Sequence, residues 1–202
     1  MKLYYSPGAC SLAPHIALRE AGLDFDIEKV DLRAKTTQSG KSFTDINPKG
    51  YVPALTLKDG SLFTENAAML QYIADQANGA GLAPKLGSME RYRLMEWLTF
   101  ISSELHKGLG TLFNPALPAD FRPAVIDRAK LRIGVLDKHL AENNYIMGDT
   151  FSIADAYAFT ILNWANPLNV DISEFKNVAA FMARVAGRPK VQDALKAEGL
   201  IN

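Results

Sequence analysis

The feature that most constrains the fold is a change of pattern partway along the chain. The first ~78 residues alternate strand-like with helix-like stretches, whereas everything from about Ser88 onward carries only helical spacing. At 202 residues with 48% apolar side chains, the chain can bury either one large core or two small ones. The change of pattern selects two domains, residues 1–80 and 88–202.

In the first part, Lys2 to Tyr5 reads as a buried strand that breaks at Ser6-Pro7-Gly8. A helix carrying Leu12, Ile16 and Leu18 follows; Pro14 falls in its first turn, where N–H groups lack intrahelical partners, and Gly22 ends it. Phe25 to Leu32 is a second strand, parallel to the first if the helix is a crossover. A loop from Arg33 to Lys41 and a weak helical piece ending near Asn47-Pro48 come next. Ala54–Leu57 and Ser61–Phe63 flank Asp59-Gly60, a hairpin signal because both central positions of such a turn favour positive φ. Asn66 then opens a helix with Ala67, Leu70, Ile73 and Ala74 on one side. The order β-α-β-α-β-β-α predicts an α/β domain with a mixed four-stranded sheet. Asn78-Gly79-Ala80-Gly81 and Pro84 form the linker.

The second part is predicted to be all-α. A long helix from Ser88 to about Leu109 presents Tyr92, Met95, Leu98, Ile101 and Leu105 as its inner stripe. After three prolines, another helix runs to about Glu142. Ser152-Ile153-Ala154-Asp155 has the form of a capping box, and helices over Ser173–Ala186 and Val191–Glu198 close the chain.

Composition excludes several classes of function. Lys plus Arg equals Asp plus Glu at 22 each, so no net field recruits nucleic acid or an anionic membrane. The apolar start is too short for a signal peptide, and the most apolar stretch, Ala156 to Ala165, is about half the ~20 residues of a membrane span. One cysteine excludes an internal disulfide and fits a reducing, cytoplasmic setting. His15 and His139 lack metal-ligand partners at useful spacing, so no metal is expected. There is no Gly-x-Ser-x-Gly elbow, no His-Glu-x-x-His and no phosphate-cradling glycine loop.

Three features together outline a peptide-binding thiol site. Cys10 stands at a predicted helix start, where the helix dipole and unpaired N–H groups favour thiolate; the plainer alternative is a small buried apolar residue. The position three residues on is Ala13, so Cys10 can form a mixed disulfide but not an internal one. Val52-Pro53, if cis, would hold a carbonyl and an N–H side by side for a ligand backbone; a trans strand-edge proline is the ordinary alternative. Glu65-Asn66 sets an acid and an amide at another helix start. A carboxylate ~4 Å from a ligand ammonium contributes roughly 4 kcal/mol before desolvation at a partly wet site.

Five segments in fixed order carry a resemblance that spans the chain: Pro7-Gly8-Ala9-Cys10-Ser11; Asn47 through Leu55; Thr64-Glu65-Asn66; Ser103-Glu104-Leu105-His106-Lys107; and Gly148 through Asp155. The chain resembles the cytosolic glutathione S-transferase superfamily, most of all its bacterial beta class. The resemblance implies a thioredoxin-like first domain, a cis bond before Pro53, and a homodimer with one glutathione site per subunit. It also implies conjugation of glutathione, a co-substrate rather than a cofactor, to small hydrophobic electrophiles in detoxification. By the same resemblance Cys10 contacts the glutathione sulfur, with His106 over it and Lys107 alongside. Val52, followed by Pro53, pairs with the cysteinyl backbone. Glu65 and Asn66 take the γ-glutamyl end and Lys35 the glycyl carboxylate. Thr99 stands where the family often has an asparagine that reaches the neighbouring subunit's glutathione. Tyr5, Ser6 and Ser11 are rivals for activating the thiol. Trp164, Asn163 and Phe113 are either acceptor-pocket residues or core, and Lys49 is expected to be surface. Two other readings stay open: a Cys10-dependent thiol-disulfide oxidoreductase, and a non-catalytic transferase-like regulatory or ligand-binding module.

Overall fold

Strand β1 (Lys2–Tyr5) is the centre of the sheet, and each neighbour is set by which of its buried residues it must cover. It pairs parallel with β2 (Asp26–Asp31), Leu3 opposite Ile27, and antiparallel with β4 (Ala54–Thr56), Leu3 opposite Leu55. The computed structural model describes residues 1–77 and 79–202; Asn78, one of the expected linker residues, lies outside them. The crossover α1 (Leu12–Glu20) is buried on every side from Leu12 to Leu18, and Gly22 at φ 64° turns the chain out of it. Beyond α2 (Phe43–Ile46), β4 and β5 (Leu62–Thr64) form the hairpin, and α3 (Asn66–Gln76) buries Met69, Leu70 and Ile73.

Two local expectations are corrected. The sheet has five strands, in the order β3-β2-β1-β4-β5, because Thr36–Thr37 in the expected loop forms an edge strand, β3, with Val30 opposite Thr37. The Asp31 carboxylate accepts the N–H groups of Arg33 and Ala34, and Lys35 at φ 57° turns the chain back. Two residues are too few to show an alternating pattern. In the β4–β5 hairpin only Gly60 takes positive φ, 84°. Its N–H donates to Leu57 O, so the loop is a type I turn closed by a left-handed glycine.

The second unit, Ala83–Arg188, is helical. It begins with α4 (Met89–Phe100), capped by the Ser88 hydroxyl. A π-helical stretch over Ile101–His106 and α5 (Lys107–Thr111) continue it. The inner stripe matches the expected one at Leu98, Ile101 and Leu105 and departs from it at the start of the helix. Leu94, Leu98, Ile101 and Leu105 are buried, whereas Tyr92 and Met95 are 57% and 39% exposed. Arg91 takes the inward position instead, donating to the Pro84 carbonyl. Helix α6 (Arg122–Leu140) packs against α8 (Lys176–Ala186), and between them in sequence lies α7 (Ile153–Leu162), every residue of which is buried. The last helix, α9 (Pro189–Ala197), packs on α1 with the first unit, so the second unit ends at Arg188 rather than at the end of the chain.

The capping box is formed. Asp155 accepts from Ser152 N at 2.7 Å, Ser152 Oγ at 2.8 Å and Ile146 N at 2.7 Å, tying the preceding loop to the start of α7. Burial pushes its carboxyl up to about 6, against the hydrogen bonds from Ile146 and Ser152. Asp155→Ala strands buried donors at the start of an all-buried helix and is expected to cost about 3 kcal/mol in urea unfolding. A loss below about 1 kcal/mol would contradict this role for the box.

Candidate functional site

In the first unit, the segment before β4 carries the features that the sequence pointed to. Asn47 Nδ2 donates to Tyr51 O at 2.7 Å, and Gly50 N to Asn47 O at 2.8 Å, so the loop from Pro48 to Val52 is held from beneath. The Val52–Pro53 peptide is cis. Cys10 is half-buried, and its thiol donates to the Val52 carbonyl at 3.2 Å. The Lys35 ammonium donates to Gly50 O at 2.7 Å, bringing this exposed cation to the same segment.

Glu65 occupies the cap position of α3 at φ 70°, a left-handed conformation that costs a non-glycine residue of order 1 kcal/mol and more. Its half-exposed carboxylate accepts from the Tyr51 hydroxyl at 2.7 Å and from the Lys49 ammonium. Lys49 is exposed, as expected, yet already holds the acid that the sequence singled out. Asn66 is the first residue of the helix rather than its cap, and it points inward: Nδ2 donates to the Cys10 carbonyl at 2.9 Å. Cys10, Val52, Pro53, Lys35, Glu65 and Asn66 are therefore linked into one surface of this unit.

The turn before Cys10 is fastened by residues from the far end of the chain. Gly8, at φ 69°, donates its N–H to Glu198 Oε2 at 2.9 Å. The other oxygen of Glu198 lies 2.8 Å from His15 Nδ1, and Arg19 Nε donates to His15 Nε2 at 2.9 Å, which assigns the ring proton to Nδ1. His15 and Glu198 side chains are fully buried. Ser11 is also buried, and its hydroxyl bridges the N–H and carbonyl of Ser6. Burial, with the nearby Glu198 carboxylate adding to it, raises the Tyr5 phenol. The Ser11 hydroxyl thus serves the turn, and the Tyr5 phenol is held in its protonated form.

In the second unit, the π-helical stretch ends on His106. Its Nδ1 lies 2.7 Å from the Tyr157 hydroxyl, and its ring meets Trp164 edge-on at 5.0 Å. Phe113, half-exposed, also meets Trp164 edge-on, at 5.3 Å. Lys107 is exposed beside His106. The Thr99 hydroxyl donates to Met95 O on its own helix, and Asn163 Nδ2 to Phe159 O. Three residues of these two surfaces escaped the sequence reading, Tyr51, Tyr157 and Glu198, and Lys49 was read only as surface. For Tyr157, the signal was its place just after the capping box. Glu198, at the end of a terminal helix, offered none.

Burial, with the Lys107 charge adding to it, pulls His106 down to about 4. An NMR titration is expected to find the ring neutral from pH 8 to below 6. In the unfolded chain the ring titrates near 6.5. Because the folded value is depressed, the stabilisation present above ~6.5 is lost as pH falls toward about 4. A midpoint at or above the unperturbed value would contradict this environment.

Known proteins share the fold of this chain. The glutathione S-transferase N-terminal domain model matches residues 8–76, and the C-terminal domain model matches residues 100–189. Glutathione S-transferase GstA of Escherichia coli O157:H7 is 46% identical over 200 residues, 99% of this chain and 100% of that protein. A ternary complex of BphK, a bacterial glutathione S-transferase, superposes with a TM-score of 0.96 at 52% identity over 98% of this chain and 100% of that one. A sphingomonad glutathione S-transferase solved with glutathione gives 0.96 at 48% identity, covering all of both chains. The chain belongs to the glutathione S-transferase family, with a thioredoxin-like first domain and a helical second one.

Proposed function

We propose that this chain joins the sulfur of reduced glutathione to small hydrophobic electrophiles: a carbon–sulfur bond forms, the thiol proton passes to a base or to solvent, and the electrophile either releases its leaving group, as an aryl chloride releases chloride, or takes up a proton where the thiol adds across a double bond. The carrying observation is the surface on which the Cys10 thiol, the Val52 backbone and the Glu65 carboxylate are joined by direct hydrogen bonds through Asn66 and Tyr51. An extended γ-glutamyl tripeptide has the complementary groups. Its cysteinyl backbone pairs with Val52 ahead of Pro53, its ammonium goes to Glu65, and its glycyl carboxylate goes to Lys35.

Lys49 then acts as a stand-in cation, exchanged for the ligand ammonium at small cost because exposed ion pairs are worth ~0–1 kcal/mol. His106 and Lys107 are assigned to the reacting thiol, His106 as a neutral hydrogen-bonding ring. Trp164 and Phe113 are assigned to the electrophile. Lowering a thiol pKa from ~8.5 to ~6.5 requires about 2.7 kcal/mol and raises the thiolate fraction at neutral pH roughly 25-fold. The remainder of the acceleration comes from placing the electrophile near sulfur.

A homodimer is supported by the apolar side chains of Met89, Tyr92 and Met95 left exposed on α4, and in it Thr99 is assigned to the partner's glutathione. The reaction is placed in the cytoplasm, where glutathione is held reduced. The half-buried thiol of Cys10 favours a second activity, exchange with oxidised glutathione, which a mass adduct on Cys10 would register.

Initial rates with an activated aryl chloride test the assignment. Glu65→Ala is expected to raise KM for glutathione about 10- to 100-fold, the value of a lost charge-assisted hydrogen bond. Lys49→Ala should change it by less than about fivefold. Conjugation by the wild type with KM unaltered in Glu65→Ala would overturn the role of Glu65, and no conjugate with any electrophile class would overturn the transferase reading.

A further inference from the structure

Asn66 is placed where its two ends meet different fates. Its Nδ2 donates to the Cys10 carbonyl, which also accepts the Ala13 N–H at 3.3 Å within the first turn of the helix. Its Oδ1 is buried and has no hydrogen-bond partner among the described residues. A buried amide oxygen without a partner is unfavourable, and alanine or glycine at this position would avoid it. The compensation visible in the structure is the bond to Cys10. Together with the bond from Ala13, it holds the peptide plane after Cys10 and so restrains the backbone from which the thiol projects. The thiol lies 3.2 Å from the Val52 carbonyl. A thiolate could not donate that bond, and its charge would face a carbonyl oxygen, so the geometry selects the protonated sulfur.

We propose that Asn66 is a positioning residue for Cys10, parking its thiol on the Val52 carbonyl, and that a peptide ligand whose own N–H takes this carbonyl frees the thiol as it binds. The second half rests on the glutathione reading above; the first does not. The consequence is an order of events: Cys10 is restrained while the surface is empty and is released only when a ligand lies along Val52.

The chain has a single cysteine, so the S–H stretching band in its Raman spectrum belongs to Cys10 alone. In the free protein this band is expected at the lowered frequency of a thiol donating to a carbonyl. Asn66→Ala, and the isosteric Asn66→Asp, which lacks the N–H, should move it toward the frequency of an unbonded thiol. Alkylation of Cys10 by iodoacetamide should rise about fivefold in both, the factor corresponding to one ordinary hydrogen bond. S-methylglutathione, which has no thiol of its own, should shift the wild-type band in the same direction.

A wild-type band at the unbonded frequency would overturn the proposal without any variant. A lowered band that both variants leave in place, with unchanged alkylation, would overturn the part given to Asn66. S-methylglutathione bound with the band unmoved would overturn the release. Failure of S-methylglutathione to bind at all would instead count against the glutathione reading, while the spectra of the free proteins would still decide where Asn66 places the thiol.

Discussion

A buried carboxylate fastens the two ends of this chain together, and the candidate site hangs from that joint. Glu198 is out of contact with water and accepts from the Gly8 N–H and from His15, whose other nitrogen accepts from Arg19. A buried acid of this kind is tolerable only while its donors stay in place; removing one partner of a buried polar pair typically costs 3–5 kcal/mol. The Pro7-Gly8 turn, α1 and the last helix therefore hold one another, and Cys10 follows immediately on that turn. Asn66 grips the same residue from α3. The thiol is positioned by groups far from it in sequence, which explains why so short a loop can be precise.

The π-helical stretch in the second unit has a comparable effect on His106. Widening the helix over Ile101–His106 changes the direction in which its last side chain leaves the axis, and that ring meets the Tyr157 hydroxyl and the edge of Trp164. Tyr157 belongs to α7, whose start is set by Asp155. A helix cap thus fixes the origin of the element that supports the histidine. Burial keeps that ring neutral at physiological pH, so it can donate or accept a hydrogen bond but does not offer a positive charge to a thiolate.

Much of this was legible in the residues. Periodicity gave the two-part organisation, the hairpin and the capping box, because each rests on local chemistry: alternation, a turn glycine, a serine three residues before an acid. The edge strand at Thr36–Thr37 was not legible, being shorter than any pattern. The stripe of the long helix was placed correctly from Leu98 through Leu105 but one position late at its start, because Arg91 is buried and Tyr92 exposed, against the usual preference of both side chains. Among the candidate site residues, Cys10, Val52 and Glu65 stood out by type and by place just before element starts. Lys49, Tyr51 and Glu198 did not, since their importance lies in which distant side chain they meet.

The fold and the hydrogen-bonded surface support the proposal that the first unit takes an extended glutathione along Val52. Isothermal titration of the wild-type protein with reduced glutathione addresses that claim most directly. Saturable binding at one glutathione per chain is the result that the geometry requires. Absence of binding would mean that Lys49 and the parked thiol of Cys10 keep the surface closed, and the chain would then be a transferase-like module rather than a glutathione enzyme.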